Sequence, residues 1–276
     1  MTWDLDLAYR EHLTTGDRAV LEEVLAGRSL AVALGSPDAE AVVFGAAAGL
    51  DPRQVASPFL TFAVAVHRTA ERLVTASYVE EWIGPRHRVP VFAVEPLRRL
   101  LADPRQRFFF VELLASYTHV VSGSTWTPTR RGWRRRRFSE LDPVQLAELL
   151  DSVPVAEQPG VLRRLGDLAL FLTGVFPDHT ATTPLGRMAA ERRLLASAGV
   201  DPGRADPAAR EPFPLLEALG ARWYALAVQR SAAPSASMQA VATIAEHFAD
   251  ARRILNVVTD QYLFPLREQW FGRPAA

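Results

Sequence analysis

Arginine is crowded into one short stretch of this chain. Arg130, Arg131, Arg134, Arg135, Arg136 and Arg137 lie close together, with Trp126 and Trp133 interleaved among them. Guanidinium forks grip sulfate, phosphate or carboxylate in bidentate fashion, and two or three suffice in a desolvated site. The same stretch serves equally as a solvated, ion-pairing ribbon or as a dock for an acidic protein. Phosphate contacts with tryptophan stacking would suit nucleic acid. Against that reading, 31 basic residues are matched by 31 acidic ones, without the global basic bias that accompanies such binding. A small anion or an acidic partner is expected, and no nucleic acid.

Asp167 stands inside the otherwise apolar run from Leu165 to Phe176. A carboxylate there is expensive unless paired. Arg163, one helical turn earlier, or Arg164 can supply a structural ion pair. Alternatively, the surroundings raise its pKa and make it a general base. Gly166 beside it permits close approach by a helix or a ligand.

A third set of polar groups follows helical spacing. His67 and Glu71 are four residues apart, and Tyr78 and Glu81 continue along the same side, lining a cavity or forming a satisfied polar face. Two such groups are too few for a metal site, and neither H-E-x-x-H nor a paired E-x-x-H pattern occurs. Ser116, Tyr117, Thr118 and His119, then Ser122 and Ser124, bring hydroxyls and an imidazole close to the arginines. They surround an anion or simply cap the helix end.

Composition narrows the chemistry. The 276 residues include no cysteine, which excludes disulfides, thiol nucleophiles and thiolate metal centres. Every basic residue is arginine, so Schiff-base catalysis and the P-loop lysine are excluded too. G-x-S-x-G and G-x-G-x-x-G after a strand are absent. The expectation is a site without cofactor or metal.

The elements that position these groups read as nearly all helix. Ser36-Pro37, Ser57-Pro58, Asp103-Pro104 and Asp142-Pro143 each pair an N-cap with proline at the first helical position. They predict helices to about Ala48, Trp82, Tyr117 or His119, and Val153. Further helices are predicted over Pro159 to Gly174, Leu215 to Arg230 and Ser235 to Tyr262. Residues 120–138 break the pattern, since β-branched and aromatic residues flank a Gly-containing turn and predict a β-hairpin.

The expected fold is therefore all-α, a multi-helix bundle with one Arg-rich hairpin insertion. It forms one domain over 1–276, or two lobes, 1–198 and 214–276, joined by a Gly/Pro/Ala/Asp-rich loop. Apolar runs fall far short of the ~20 residues of a membrane span. Met1 to Asp6 has no basic n-region or apolar core, so no secretory signal and a cytoplasmic location are expected.

Glu112 to His119, Gly132 to Pro143 and Leu165 to His179 resemble a family of uncharacterised all-helical proteins from actinobacteria, over most of the chain. The family carries over no catalytic residue. More narrowly, the chain resembles the aziridine-forming proteins of azinomycin- and ficellomycin-type antibiotic biosynthesis. That resemblance implies intramolecular amine substitution with sulfate elimination, on an O-sulfated amino acid that an acidic carrier protein could present. A base must take the ammonium proton, for which Asp167, Glu81 and His119 are candidates. Departing sulfate needs fixed donors, for which Arg134, Arg135, Arg137 and Arg164 are candidates. Tyr117, Ser124, Trp126, Tyr78 and His67 complete the expected substrate and anion-binding set. The alternative is a non-catalytic helical module that docks an acidic partner through its hairpin.

Overall fold

A computed structural model describes residues 5–25, 27–44, 55–118, 122–129, 132–139, 141–183, 188–201, 211–232, 235–264 and 267–271. Over these the fold is all-α with two small hairpins. The order begins with α1 (Leu5–His12), α2 (Thr15–Leu25), α3 (Leu30–Leu34), α4 (Pro37–Val43), α5 (Pro58–Thr75), β1 (Val79–Gly84) and β2 (His87–Val91). It continues with α6 (Glu95–Ala102), α7 (Pro104–Ser116), β3 (Ser122–Thr129), β4 (Gly132–Ser139), α8 (Pro143–Leu149), α9 (Gln158–Val175) and α10 (Pro177–Thr182). The last elements are α11 (Met188–Ser197), α12 (Pro212–Arg230), α13 (Ala236–Glu246), α14 (Phe248–Val258), a π-helical turn (Thr259–Leu263) and α15 (Arg267–Phe271). No helix among the described residues is long and apolar enough to cross a membrane.

The Ser-Pro and Asp-Pro signals do what their chemistry dictates. Ser36, Ser57, Asp103 and Asp142 each accept a backbone N–H from their own first turn, and Ser235 does the same for α13. Each such cap contributes about 1 kcal/mol.

The chain divides into two compact units, residues 1–83, 87–118 and 250–272 in one, and 84–86, 119–249 and 273–276 in the other. In the first, α5 is the central helix. Every residue from Phe59 to His67 is buried, the mark of a helix enclosed on all sides. α7 packs along it, and Phe62 meets the rings of Trp270 and Phe271 at 5.4 and 5.6 Å. Asp17, 1% exposed, accepts from Ser57 N–H at 2.8 Å and from Thr14 N–H at 2.9 Å, tying the start of α2 to the start of α5.

In the second unit α9 and α12 lie side by side, with α13 against α12 and α8 against α9. Two glycines set this contact. A Cβ on Gly166 would collide with the Tyr224 ring, and one on Gly220 with Phe248 and, at 2.8 Å, with the Ala169 Cβ.

Two sequence expectations are corrected. The helix expected to reach Trp82 stops at Thr75, Ala76 turning extended (φ −66°, ψ 132°). Tyr78 precedes β1 and Glu81 lies within it, so the stripe from His67 through Tyr78 to Glu81 does not exist as a helical face. Gly84 and Pro85, read as a helix stop, open the turn between β1 and β2, where Arg86 takes the left-handed conformation (φ 61°). β-branched and aromatic Val79, Trp82 and Ile83 favour this pairing over another helical turn. The helix expected over Ser235 to Tyr262 is broken at His247 (φ −119°, ψ 35°) and ends in the π turn. The Arg-rich hairpin stands as expected. β3 and β4 pair antiparallel, with Trp126 opposite Arg135 and Ser124 opposite Arg137.

Candidate functional site

Asp167 sits midway along α9, within its buried run from Leu165 to Val175. Its residue is 9% exposed. The Tyr224 hydroxyl donates to Oδ1 at 2.7 Å, and Arg163 Nε lies 3.9 Å from Oδ2. Burial raises the Asp167 pKa above the ordinary carboxylate value, opposed by the Arg163 charge, the Tyr224 hydrogen bond and the Arg164 charge. The Arg163 guanidinium is itself held by Ser237 Oγ at 2.7 Å. The result is a desolvated carboxylate with a phenol on one oxygen and a guanidinium near the other. Such a group accepts a proton more readily than a solvated aspartate does.

Glu81 has the opposite setting. Arg252 Nη2 and Arg253 Nε both donate to its Oε1, at 2.9 and 2.8 Å. Burial acts to raise its pKa, but the hydrogen bonds and charges of Arg253 and Arg252 prevail and hold it below the usual range. Arg252 also donates to Asn256 Oδ1 at 3.0 Å, and Arg253 to Asp250 at 3.1 Å. A carboxylate held ionised by two guanidiniums is a poor base and a good structural anchor.

His67 is 1% exposed, its Nε2 hydrogen-bonded to the Tyr9 hydroxyl at 2.9 Å. Burial, with the nearby Arg107 charge, pushes its pKa down to about 3. It is a neutral imidazole in the core.

Asp167 and Arg164 belong to the second unit, and Glu81, His67, Tyr78 and Tyr117 to the first. Tyr117 is fully buried at the end of α7, whereas Tyr78 is 48% exposed, 6.0 Å from the Phe92 ring. His119 lies outside the described residues. For Arg134, Arg135, Arg137, Ser124 and Trp126 the strand positions are described but not the side chains. Among the described residues no three His, Asp or Glu side chains gather at a spacing that would hold a metal ion.

Comparison of the chain with known protein families, curated proteins and solved structures finds no match.

Sequence reasoning missed Tyr224, Arg252, Arg253 and Tyr9. The spacing of Asp250 to Arg253 and of Arg252 to Asn256 on one helix was a readable signal. Nothing local marks Tyr224, because its partner lies on another helix.

Proposed function

We propose that the protein is a cofactor-independent enzyme acting on a small anionic substrate, with Asp167 as its general base. The observation that carries this reading is the setting of Asp167: a raised pKa, the Tyr224 phenol at 2.7 Å and the Arg163 guanidinium at 3.9 Å. Arg163 and Arg164 lie one turn or less from the base and supply positive charge for a departing anion.

The reaction we assign is the one implied by the chain's resemblance to aziridine-forming proteins. An ammonium gives its proton to Asp167, the freed nitrogen attacks the neighbouring sulfated carbon, and that carbon–oxygen bond breaks as sulfate leaves. Nitrogen and carbon close an aziridine, and no metal or redox step is needed. Asp167 does the proton work and the arginines stabilise the leaving group; holding the substrate bent supplies proximity.

The test uses L-serine O-sulfate, with ion chromatography for sulfate and mass spectrometry for aziridine-2-carboxylate. Both products should appear with the wild type, and the rate should fall ~100-fold or more for Asp167→Asn, as for loss of a general base. No ring product from the wild type, or an unchanged rate in Asp167→Asn, overturns the assignment.

A second reading draws on β4, which carries four consecutive arginines, Arg134 to Arg137, in one strand. That strand would dock an acidic protein without catalysis. Reversing Arg135 and Arg137 to glutamate then abolishes partner binding, while Asp167→Asn leaves it intact.

A further inference from the structure

The first compact unit contains a cleft that the proposed reaction does not use. It has a volume of about 310 Å³, between the end of α5, the start of β1 and the π turn. Leu73, Val79 and Val257 form its apolar wall, and Tyr78, 48% exposed, offers an aromatic face at its edge.

Its charges are arranged in two groups. Arg72 lines the cleft and is fixed in place: Nη2 donates to Glu40, and the guanidinium lies over the Tyr262 ring at 5.2 Å. Glu40 also accepts from Arg68 Nε at 2.7 Å. One carboxylate is thus shared between two guanidiniums, and Arg72 is not neutralised one for one. A single contact occupies only one of its five N–H donors. The carboxylates come from other elements. Asp260 is held by Arg88 through contacts of 3.1 and 3.3 Å, and so is neutralised. The Glu80 side chain is exposed and makes no hydrogen bond or ion pair among the described residues.

The π turn is what assembles this site. Its extra residue per turn presents Asp260 and Gln261 to the cleft while burying Tyr262 beneath Arg72 and against Phe44 at 5.0 Å. Single π turns persist where the geometry has a use, since their hydrogen bonding is poorer than that of an α-helix.

The geometry points to a binding site for a small zwitterion of amino-acid type with an apolar or aromatic body. Arg72 would take the carboxylate as a bidentate fork, Glu80 the ammonium, and Tyr78 with Leu73 and Val257 the body. A simple anion would leave Glu80 unpaired beside it, and a simple cation would face Arg72. This inference stands apart from the reaction assigned to Asp167.

The test is calorimetric titration of the full chain with L-phenylalanine, 3-phenylpropionate and phenethylamine, which carry both charges, the carboxylate alone and the ammonium alone. L-Phenylalanine should bind saturably, and each singly charged compound roughly tenfold more weakly or worse, the scale of one lost charge-assisted hydrogen bond. Glu80→Gln should weaken L-phenylalanine by a similar factor without weakening 3-phenylpropionate; Arg72→Gln should weaken L-phenylalanine without weakening phenethylamine. Should Arg72→Gln fail to fold, Glu80→Gln decides alone, because Glu80 is exposed and supports no contact. Absence of saturable L-phenylalanine binding, equal binding of all three compounds, or binding indifferent to Glu80→Gln overturns the proposal.

Discussion

The Tyr224 hydroxyl donates to Oδ1 of Asp167 at 2.7 Å, while the same ring rests where a side chain on Gly166 would have to stand. One aromatic residue of α12 therefore both closes the helix contact and hydrogen-bonds the carboxylate beside it, opposing the rise in pKa that burial imposes. The consequences separate into stability and chemistry, and each can be measured.

Asp167→Asn keeps an oxygen for Tyr224 but removes a charge that its surroundings disfavour. Because the folded pKa is raised above the ordinary aspartate value of 3.8, the native state binds more protons than the unfolded state between those two values. Wild-type stability accordingly falls as pH rises through the folded pKa and recovers as pH is lowered. Relative to Asp167→Asn, the wild type should be less stable at pH 7 and gain steadily on acidification. Urea midpoints of the two proteins across pH check this; parallel curves would show that Asp167 is not perturbed.

Gly166→Ala inserts a methyl into the Tyr224 ring, which is fully buried and tethered by its hydroxyl. Overpacking of this kind costs ~1–3 kcal/mol. Gly220→Ala meets Phe248 and Ala169 and should behave alike. Both variants should melt several degrees below wild type, and tyrosine fluorescence of Gly166→Ala should show the ring displaced. An unshifted melt would mean that α9 and α12 are not in this contact.

Glu81→Ala removes the carboxylate that Arg252, whose side chain is 5% exposed, is paired with. Removing one partner of a buried pair costs about 3 kcal/mol. Arg253 is more exposed, at 27%, and its removal leaves Glu81 still paired with Arg252, so Arg253→Ala should cost less than half as much. Chemical denaturation of both variants gives the order, and equal losses would contradict the asymmetry.

His67 resists protonation when folded, with a pKa of about 3 against an ordinary 6.5. Its contribution is complete above the unfolded value and is lost as pH falls from 6.5 toward 3, since the unfolded state then binds the extra proton. Relative to His67→Gln, the wild type should lose ~1.4 kcal/mol per pH unit in that window. The difference between their acid denaturation profiles reads this directly, and a constant difference would place His67 in a solvated setting.

Much of this molecule was legible locally. Ser57-Pro58, Asp103-Pro104 and Asp142-Pro143 mark helix starts because a cap and its first-turn amides are neighbours in sequence. The hairpin of β3 and β4 was legible for the same reason, its strand signals flanking a glycine turn within one short segment. The end of α5 was not. Gly84 and Pro85 stop a helix and open a hairpin equally well, and the choice between them depends on what the following strand finds to pair with.

What the sequence determined alone is the chemical vocabulary: arginine in place of any lysine, no thiol, a carboxylate set in the apolar run at Asp167, and the starts of most helices. Tertiary structure decided how those groups are used. Asp167 and Glu81 are both partly or wholly withdrawn from water, yet one is raised by burial and the other lowered by Arg253 and Arg252. The physical reason is that a charge takes its energy from the dielectric and the partners within a few ångströms. For Asp167 and Glu81 those partners, Tyr224 and Arg252, lie 57 and 171 residues away along the chain, distances over which only packing carries information.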